Sequence, residues 1–276
     1  MTVGICGLGL IGGSMAKAYK EKGHTVYAYD KDSATLGYAM ISDIIDGELS
    51  EENLPDCDIL FIALYPIAAV EYLKTVAPSI SQKTVVIDLC GTKQIICEHG
   101  FALAKKYGFT FVGGHPMAGR QFSGIKYSKG SLFKNAPMVI VPPVYDDIEF
   151  LDKIKELLAP AEFGKLSVTT AEEHDKMIAF TSQLAHIVSN AYVKTPTAQS
   201  HKGFSAGSYK DLTRVARLNE YMWTELFMEN KEPLLFELDY IINSLNEYKT
   251  AIETNDQDLL RSLLRDGRVA KEKVDG

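Results

Sequence analysis

Short apolar runs alternate with segments of helical periodicity through the first 169 residues of the chain. The apolar runs predict strands at residues 2–6, 25–30, 58–64, 84–88, 109–113, 138–141 and 165–168. Between them, apolar residues recur at helical spacing and predict helices at residues 11–22, 68–77, 93–107 and 148–158. Continuous apolar strands that alternate with helices indicate an α/β fold, with a mostly parallel sheet covered on both faces.

The strand pattern stops after residue 168, where Thr170 and Glu173 have the spacing of a capping box at a helix start. Further helices are predicted at residues 171–192, 209–219, 220–229, 233–254 and 256–271. The sequence therefore predicts two domains, an α/β domain over residues 1–169 and an all-helical domain over residues 170–276.

Composition and charge narrow the possible partners. The 276 residues are 46% hydrophobic and 24% charged, which is typical of a globular protein. The net charge of −7 argues against nucleic acid or an anionic membrane as the main partner. An anionic substrate would need a locally basic site. The chain has neither an apolar run of 18 residues nor the basic start of a signal peptide, so we expect a cytoplasmic protein.

The four cysteines do not form a recognisable metal or redox motif. No pair has the C-x-x-C spacing, so we expect free thiols in a reducing compartment. They are Cys6, Cys57, Cys90 and Cys97.

A glycine-rich turn follows the first predicted strand directly. Its residues are Gly7, Leu8, Gly9, Leu10, Ile11 and Gly12. A strand, this turn, a helix and then an acidic residue (Asp30) at the end of the next strand together form the pattern of a dinucleotide-binding site. Asp30 could accept hydrogen bonds from the ribose hydroxyls and would repel a 2′-phosphate, which favours NAD over NADP, although Lys31 opposes this preference. The alternative is a structural turn without a ligand.

Two of the six histidines stand out by their context. His115 lies between glycines and a proline at the carboxyl end of a predicted strand, where ligands of open α/β sheets bind. It could accept a proton from a substrate hydroxyl while a hydride leaves, or it could be a structural histidine. His186 shares a helix face with Ser182, Ser189 and Asn190, and this polar stripe faces either a site or another helix.

Two charged clusters lie in the predicted helical domain. Glu172, Glu173, His174 and Asp175 could hold a metal ion, but carboxylates in a first helical turn are typically solvated. Arg214 and Arg217, followed by Trp223, could hold a substrate carboxylate or form surface ion pairs with neighbouring acidic side chains.

Four motifs occur in a recognisable order. They are GLGLIGGS, GGHPMAG, TSQLAH and KDLTRVAR followed by MW. Over nearly the whole chain they resemble the prephenate/arogenate dehydrogenase family of tyrosine biosynthesis. The resemblance implies a Rossmann-type NAD-binding domain, an all-α dimerisation domain, and a homodimer. The implied reaction is oxidative decarboxylation of prephenate to 4-hydroxyphenylpyruvate, with hydride transfer to NAD+ and without a metal.

The resemblance also implies roles for individual residues. His115 would accept the proton of the substrate hydroxyl, and Arg214 would hold the ring carboxylate. Ser182, His186, Gly207 and Trp223 match other positions of the substrate site. The predicted cofactor contacts are residues 7–12, Asp30 and Thr92.

The chain departs from the family pattern at three places. Gly91 stands where many relatives have a serine that bonds the catalytic histidine, and Thr92 or a water could replace it. Arg120 and Gln121 follow HPMAG where an acidic residue is frequent. With Arg217, we expect them to contact the substrate and to favour the more anionic prephenate. Gln183 replaces a histidine before the Leu-x-His pattern.

Several alternatives remain open from the sequence. The substrate could be arogenate. The enzyme could instead be an imine reductase or a β-hydroxyacid dehydrogenase. Many β-hydroxyacid dehydrogenases use a lysine on the first helix of the second domain, where Lys176 is available. A non-catalytic protein that senses NAD(H) would also contain the glycine-rich turn.

Overall fold

An eight-stranded sheet forms the centre of the N-terminal part. The computed structural model describes residues 1–120, 122–201, 203–204 and 206–275. The strands are β1 (Thr2–Cys6), β2 (Thr25–Tyr29), β3 (Gly47–Glu48), β4 (Ile59–Ile62), β5 (Val85–Asp88), β6 (Thr110–Pro116), β7 (Pro137–Val141) and β8 (Lys165–Val168). Their order is β3-β2-β1-β4-β5-β6-β7-β8. Strands β1 to β6 run in one direction, whereas β7 and β8 are parallel to each other and antiparallel to the first six. The predicted mostly parallel sheet is confirmed.

Five helices cover the two faces of this sheet. They are α1 (Leu10–Glu21), α2 (Ser33–Ile41), α3 (Pro66–Val76), α4 (Gln94–Tyr107) and α5 (Ile148–Leu158). The sequence analysis missed α2 and β3. Helix α2 buries only Leu36 and Ala39, so its apolar periodicity is weak, and its start depends on the side chain of Asp32 that accepts a hydrogen bond from Ala34 N.

Strand alternation divides the core into two layers. Ile59 and Phe61 of β4 face the layer that contains α1 and α5, whereas Leu60 and Ile62 face the layer of α3 and α4. Burial on both faces explains why the central strands β4 and β5 are apolar almost without interruption.

The chain after β8 is helical. Its helices are α6 (Ala171–Ile178), α7 (Ala185–Tyr192), α8 (Gly207–Thr213), α9 (Glu220–Glu229), α10 (Lys231–Glu253) and α11 (Gln257–Asp275), with a π-helical turn at Ala179–Leu184 between α6 and α7. Thr170 Oγ1 accepts a hydrogen bond from Glu173 N, as the capping-box prediction requires. The side chain of Glu173 instead lies 4.0 Å from Lys176 Nζ.

The predicted helix at residues 209–219 is wrong in its extent. Helix α8 ends at Thr213, and Asn219 caps the next helix by accepting a hydrogen bond from Met222 N. The competing local hydrogen bond of the asparagine side chain stops a single helix from running through this segment. Arg214 and Arg217 therefore lie in the connection between α8 and α9, not on one helix face.

The last two helices carry many apolar side chains on their surface. Among those of α10 are Leu235, Phe236, Tyr240, Leu245 and Ile252. Among the described residues, no helix is both long and apolar enough to cross a membrane.

Candidate active site

The glycine-rich turn leaves space next to the backbone at the start of α1. Gly7 has a φ of +90°, and a Cβ there would lie 2.6 Å from the Ala63 carbonyl oxygen. A Cβ on Gly12 would lie 1.8 Å from the Gly7 carbonyl oxygen, so α1 can start this close to the strand only with glycine. A Cβ on Gly9 would meet no atom within 4 Å. The geometry allows a ligand to approach the backbone at Gly9, beside the N-terminus of α1.

Asp30 is joined to this turn by hydrogen bonds. Its Oδ2 accepts from Leu8 N at 2.7 Å, and its Oδ1 accepts from Asp32 N at 2.9 Å. The Leu8 side chain is in the core, so only its backbone could meet a ligand, whereas Leu10 and Ile11 are partly exposed at the helix start. The carboxylate of Asp30 is thus held at the end of β2, beside the turn.

His115 is the penultimate residue of β6, which extends three residues beyond the predicted end. The ring is partly buried, and its Nδ1 lies 2.9 Å from Nε2 of His174. Burial lowers the pKa of His115 well below its usual value, and the charge of Lys93, as well as any positive charge on His174, acts in the same direction. The imidazole is therefore neutral at neutral pH, as a proton acceptor must be.

His174 and Asp175 lie in the interior, next to His115. Asp175 Oδ1 lies 2.7 Å from His174 Nδ1 and also accepts from Lys93 N. Its Oδ2 accepts from Gln94 N at 2.9 Å. Of the four residues considered as metal ligands, Glu172 and Glu173 are exposed, whereas this pair is buried. The sequence analysis missed the pair. The available signal was the i, i+4 spacing of His174 and the buried Ile178, which places both on the inner face of α6.

A buried ion pair supports the strand end that carries His115. Lys93 Nζ bonds Asp88 Oδ2, and both side chains are 0% exposed. Asp88 also accepts hydrogen bonds from Cys90 N at 2.9 Å and from Gly114 N at 3.1 Å. The sequence analysis did not identify this pair as part of the site. It fixes the backbone next to His115.

The junction of α9 and α10 is tied to α6 by amide side chains. Asn230 Nδ2 donates to the backbone oxygen of Asp175 at 2.7 Å and to Gln183 Oε1 at 2.8 Å. Gln183 Nε2 donates to the Leu226 carbonyl at 3.0 Å. The glutamine that departs from the family pattern therefore joins α9 to the helix that carries the buried histidine.

Gly91 and Thr92 both face α9. A Cβ at Gly91 would lie 3.2 Å from Cδ2 of Leu226. The Thr92 hydroxyl donates to Glu229 Oε2 at 2.7 Å. Thr92 therefore does not replace the absent serine as the partner of His115, because that position on Nδ1 is taken by His174.

A second group of predicted residues gathers around His186. Its Nδ1 lies 2.8 Å from the Ser182 carbonyl oxygen, and its ring centroid lies 4.0 Å from that of Trp223. Burial lowers the pKa of His186, and the positive charge of Arg214 lowers it further, while the bond to Ser182 opposes them. Four of the predicted substrate contacts are thus neighbours in space, namely Ser182, His186, Arg214 and Trp223. Gly207 begins α8, with open space around its Cα.

The rest of the polar stripe on α7 contacts another segment. Ser189 Oγ donates to the Leu212 carbonyl at 2.7 Å, and Asn190 Nδ2 donates to the Ala216 carbonyl at 3.0 Å. These bonds hold the connection that carries Arg214. For Ser189 and Asn190, the stripe therefore contacts another segment of the helical part.

Arg120 and Arg217 approach one aromatic pair from opposite parts of the chain. Phe122 and Tyr127 stack with ring centroids 5.1 Å apart. Arg217 Cζ lies 6.0 Å from the Phe122 ring centroid, and Arg120 Nη1 donates to the Tyr127 carbonyl at 3.2 Å. This arrangement places two positive charges near the loop after β6. Gln121 lies outside the described residues.

The fold and the glycine-rich turn define a nucleotide-binding protein with an appended helical part. The nucleotide-binding domain of prephenate dehydrogenases matches residues 15–164, and the dimerization domain of the same enzymes matches residues 170–266. The chain belongs to the prephenate dehydrogenase family.

Individual relatives agree with this assignment. The chain is 31% identical to the prephenate dehydrogenase of Bacillus subtilis over 290 aligned positions, which cover 100% of this chain and 76% of the relative. Its structure is similar to that of Synechocystis arogenate dehydrogenase, with a TM-score of 0.81, 26% identity and coverage of 99% and 100%. It is also similar to prephenate dehydrogenase from Aquifex aeolicus in complex with hydroxyphenyl propionate and NAD+, with a TM-score of 0.83, 28% identity and coverage of 99% and 98%.

Proposed function

We propose that this protein oxidises prephenate with NAD+ and releases 4-hydroxyphenylpyruvate and CO₂. The observation that carries the proposal is the neutral, partly buried His115 at the carboxyl end of β6. A base at this position in a nucleotide-binding sheet suits the removal of a hydroxyl proton during hydride transfer. The similarity to the Bacillus subtilis and Aquifex aeolicus enzymes supports the substrate class.

The residues around the glycine-rich turn fit NAD+. The backbone at Gly9 is open to a pyrophosphate, and Asp30 lies where a ribose would hydrogen-bond. The negative charge of Asp30 disfavours a 2′-phosphate, and the Aquifex aeolicus relative was crystallised with NAD+. The chemistry that NAD+ supplies when bound is acceptance of the hydride from C4 of the substrate.

The protein's own part in the reaction is proton removal and binding. His115 accepts the proton of the C4 hydroxyl as the hydride departs from the same carbon. The resulting dienone is a vinylogous β-keto acid, so the C–C bond to the ring carboxylate breaks, CO₂ leaves and the ring becomes aromatic. A positively charged side chain holds the carboxylate before that step, and we assign this role to Arg214.

Positive charge around the site favours prephenate over arogenate. Arg120 lies in the loop after β6, and Arg217 approaches that loop from the connection between α8 and α9. In our proposal, further contacts come from Ser182, His186, Gly207 and Trp223. The pyruvyl side chain of prephenate carries no ammonium group, so added positive charge suits it better. Arogenate is the second candidate because the Synechocystis enzyme named for it has a similar structure over the whole chain.

We further propose that the active protein is a homodimer formed through α10 and α11. Exposed apolar side chains line α10. A second copy that covered them would remove this apolar surface from water. The match of residues 170–266 to a dimerization domain supports this arrangement.

Absorbance at 340 nm tests the activity directly. The purified protein with NAD+ and prephenate should produce NADH, and His115→Asn should reduce kcat by about 100-fold or more with a small change in KM. Comparison of kcat/KM for prephenate and arogenate, each with NAD+ and NADP+, tests both specificities. NAD+ binding without turnover of either substrate would favour a sensor. Turnover by His115→Asn at the wild-type rate would remove His115 from its role.

A further inference from the structure

We propose that His174 and Asp175 are positioning residues that hold His115 in one tautomer, with the proton on Nδ1 and the lone pair on Nε2. The inference rests on the proposed function of His115 as the proton acceptor. The side chains of His174 and Asp175 are both buried, and the proposed reaction does not use them directly. The order of the chain of hydrogen bonds is Asp175, His174, His115.

The direction of this chain is set at Asp175. Its two oxygens accept backbone N–H groups from Lys93 at 2.7 Å and Gln94 at 2.9 Å. These groups belong to the N-terminus of α4, where the helix dipole favours a negative charge. Gln94 Nε2 also donates to Oδ2, at 3.3 Å, so Asp175 accepts three hydrogen bonds before His174 is counted. A carboxylate can only accept hydrogen bonds.

His174 must therefore donate to Asp175 through Nδ1. The two atoms His174 Nδ1 and Asp175 Oδ1 are 2.7 Å apart. Burial lowers the pKa of His174, although its hydrogen bond to Asp175 acts in the opposite direction. A neutral imidazole carries a single N–H, so Nε2 of His174 presents a lone pair.

His115 must in turn donate through its own Nδ1. This atom lies 2.9 Å from His174 Nε2, and since both rings are neutral, only one of them can donate. The donor is His115, because the Nε2 of His174 has no proton to give. Nε2 of His115 is then the basic atom. It has no hydrogen-bond partner within the part of the chain that the structure describes.

Neighbouring groups do not offer His115 a different partner. Gly91 has no side chain, and Leu226 packs where a side chain would begin. The Thr92 hydroxyl is used by Glu229. Lys93 Nζ is directed at Asp88.

The charged and titratable groups around the pair come from four elements. They are Asp88 of β5, Lys93 and Cys97 at the start of α4, Asp175 of α6 and Glu229 of α9. Lys93 lowers the pKa of both His115 and His174, so it opposes protonation of these two rings at neutral pH. A neutral pair with one fixed direction is the state that these surroundings favour.

Asp175→Asn reverses the chain of hydrogen bonds. The new amide can donate to His174 Nδ1, which moves the proton of His174 to Nε2 and the proton of His115 from Nδ1 to Nε2. The basic atom is then lost, and kcat should fall by about 100- to 10,000-fold with a small change in KM. A higher pH should not restore activity, because both tautomers are neutral.

Substitutions of His174 test the middle residue of this chain of hydrogen bonds. His174→Leu removes the acceptor of His115 Nδ1, whereas His174→Gln retains an acceptor in its amide oxygen. We expect His174→Gln to keep at least 10-fold more of the wild-type kcat than His174→Leu. Glu172→Gln is the matched control, because it changes an exposed carboxylate to an amide in the same helical turn and should leave kcat unchanged.

Nitrogen NMR of the imidazole rings tests the tautomer without turnover. Wild-type protein should show a protonated Nδ1 and an unprotonated Nε2 at His115, and Asp175→Asn should show the reverse. The inference would be overturned if Asp175→Asn kept the Nδ1–H tautomer of His115 and a wild-type kcat, and His115→Asn was inactive. If His115→Asn were active, the proposed function would fail instead. Thermal denaturation of each variant separates loss of folding from both outcomes.

Discussion

Lys93→Met should destabilise the protein far more than a surface substitution of the same kind. Lys93 and Asp88 are both 0% exposed and bond each other beneath the strand end that carries His115. Burial lowers the pKa of Lys93, but the charge and hydrogen bond of Asp88, together with the nearby Cys90 and Cys97, raise it by more, so the net shift is upward. The lysine is therefore charged, and its removal leaves a buried carboxylate with an unbalanced charge.

The expected loss in the free energy of unfolding depends on the hydrogen bonds that Asp88 retains in Lys93→Met. Loss of one partner of a buried ion pair costs about 3–5 kcal/mol of the free energy of unfolding. Asp88 keeps two backbone donors, Cys90 N at 2.9 Å and Gly114 N at 3.1 Å, which remain bonded to the charge. We therefore expect the lower end, about 3 kcal/mol. The double variant Asp88→Asn/Lys93→Met removes both charges and should lose less than the sum of the single changes, with a coupling energy of about 2–3 kcal/mol.

Urea denaturation at neutral pH measures these differences. Lys22→Met is the control, since Lys22 pairs with Glu162 at 2.7 Å on the surface and its loss should leave the midpoint unchanged. A loss below about 1 kcal/mol for Lys93→Met, together with additive effects in the double variant, would show that the buried pair does not stabilise this strand end.

Three further outcomes test the proposed site and assembly. Arg214→Ala should raise KM for prephenate by about 10- to 100-fold, because a charge-assisted bond to the carboxylate is lost. Lys210→Ala on the neighbouring helix should leave KM unchanged. Equal KM values for Arg214→Ala and the wild-type protein in a steady-state assay would remove Arg214 from the site. Leu245→Glu on α10 should halve the mass measured by light scattering, whereas Ile148→Glu, at a more exposed apolar position in the N-terminal part, should leave the dimer intact. A dimeric Leu245→Glu would place the interface elsewhere. Burial raises the pKa of Glu229 above 4.5, so its contribution to stability is present below pH 4.5 and is lost as pH rises through the folded-state value. Glu229→Gln should therefore flatten that part of the curve of melting temperature against pH, and an unaltered curve would contradict the shift.

The sheet was predictable because burial on both faces leaves a local signal. The central strands β1, β4 and β5 are nearly continuous apolar runs, and the glycine-rich turn marks the start of α1. The short β3 has two residues and no such run. The extent of α8 depends on the cap at Asn219, a competing local bond that apolar periodicity does not show.

The candidate site was predictable only where sequence position determines geometry. His115 was found because it lies at the carboxyl end of a strand, and such strand ends of a parallel sheet meet at one edge. His174 and Asp175 act 59 and 60 residues further along the chain, and only packing of α6 against α4 brings them to His115. Their sequence context, two glutamates in a first helical turn, indicated a solvated cluster.

The glycine at position 91, where many relatives have a serine, lies directly against α9. A Cβ at Gly91 would press on Leu226 at 3.2 Å, and the same helix bonds Thr92 through Glu229 and Ile67 N through Glu225. Helix α9 therefore packs on the loops after β4 and β5 in a way that a larger residue at position 91 would disturb. A side chain at position 91 would therefore require the Leu226 side chain to shift by a few tenths of an ångström. A hydrogen-bond partner supplied from α6 is compatible with that packing, which explains how glycine and an oriented His115 can occur together.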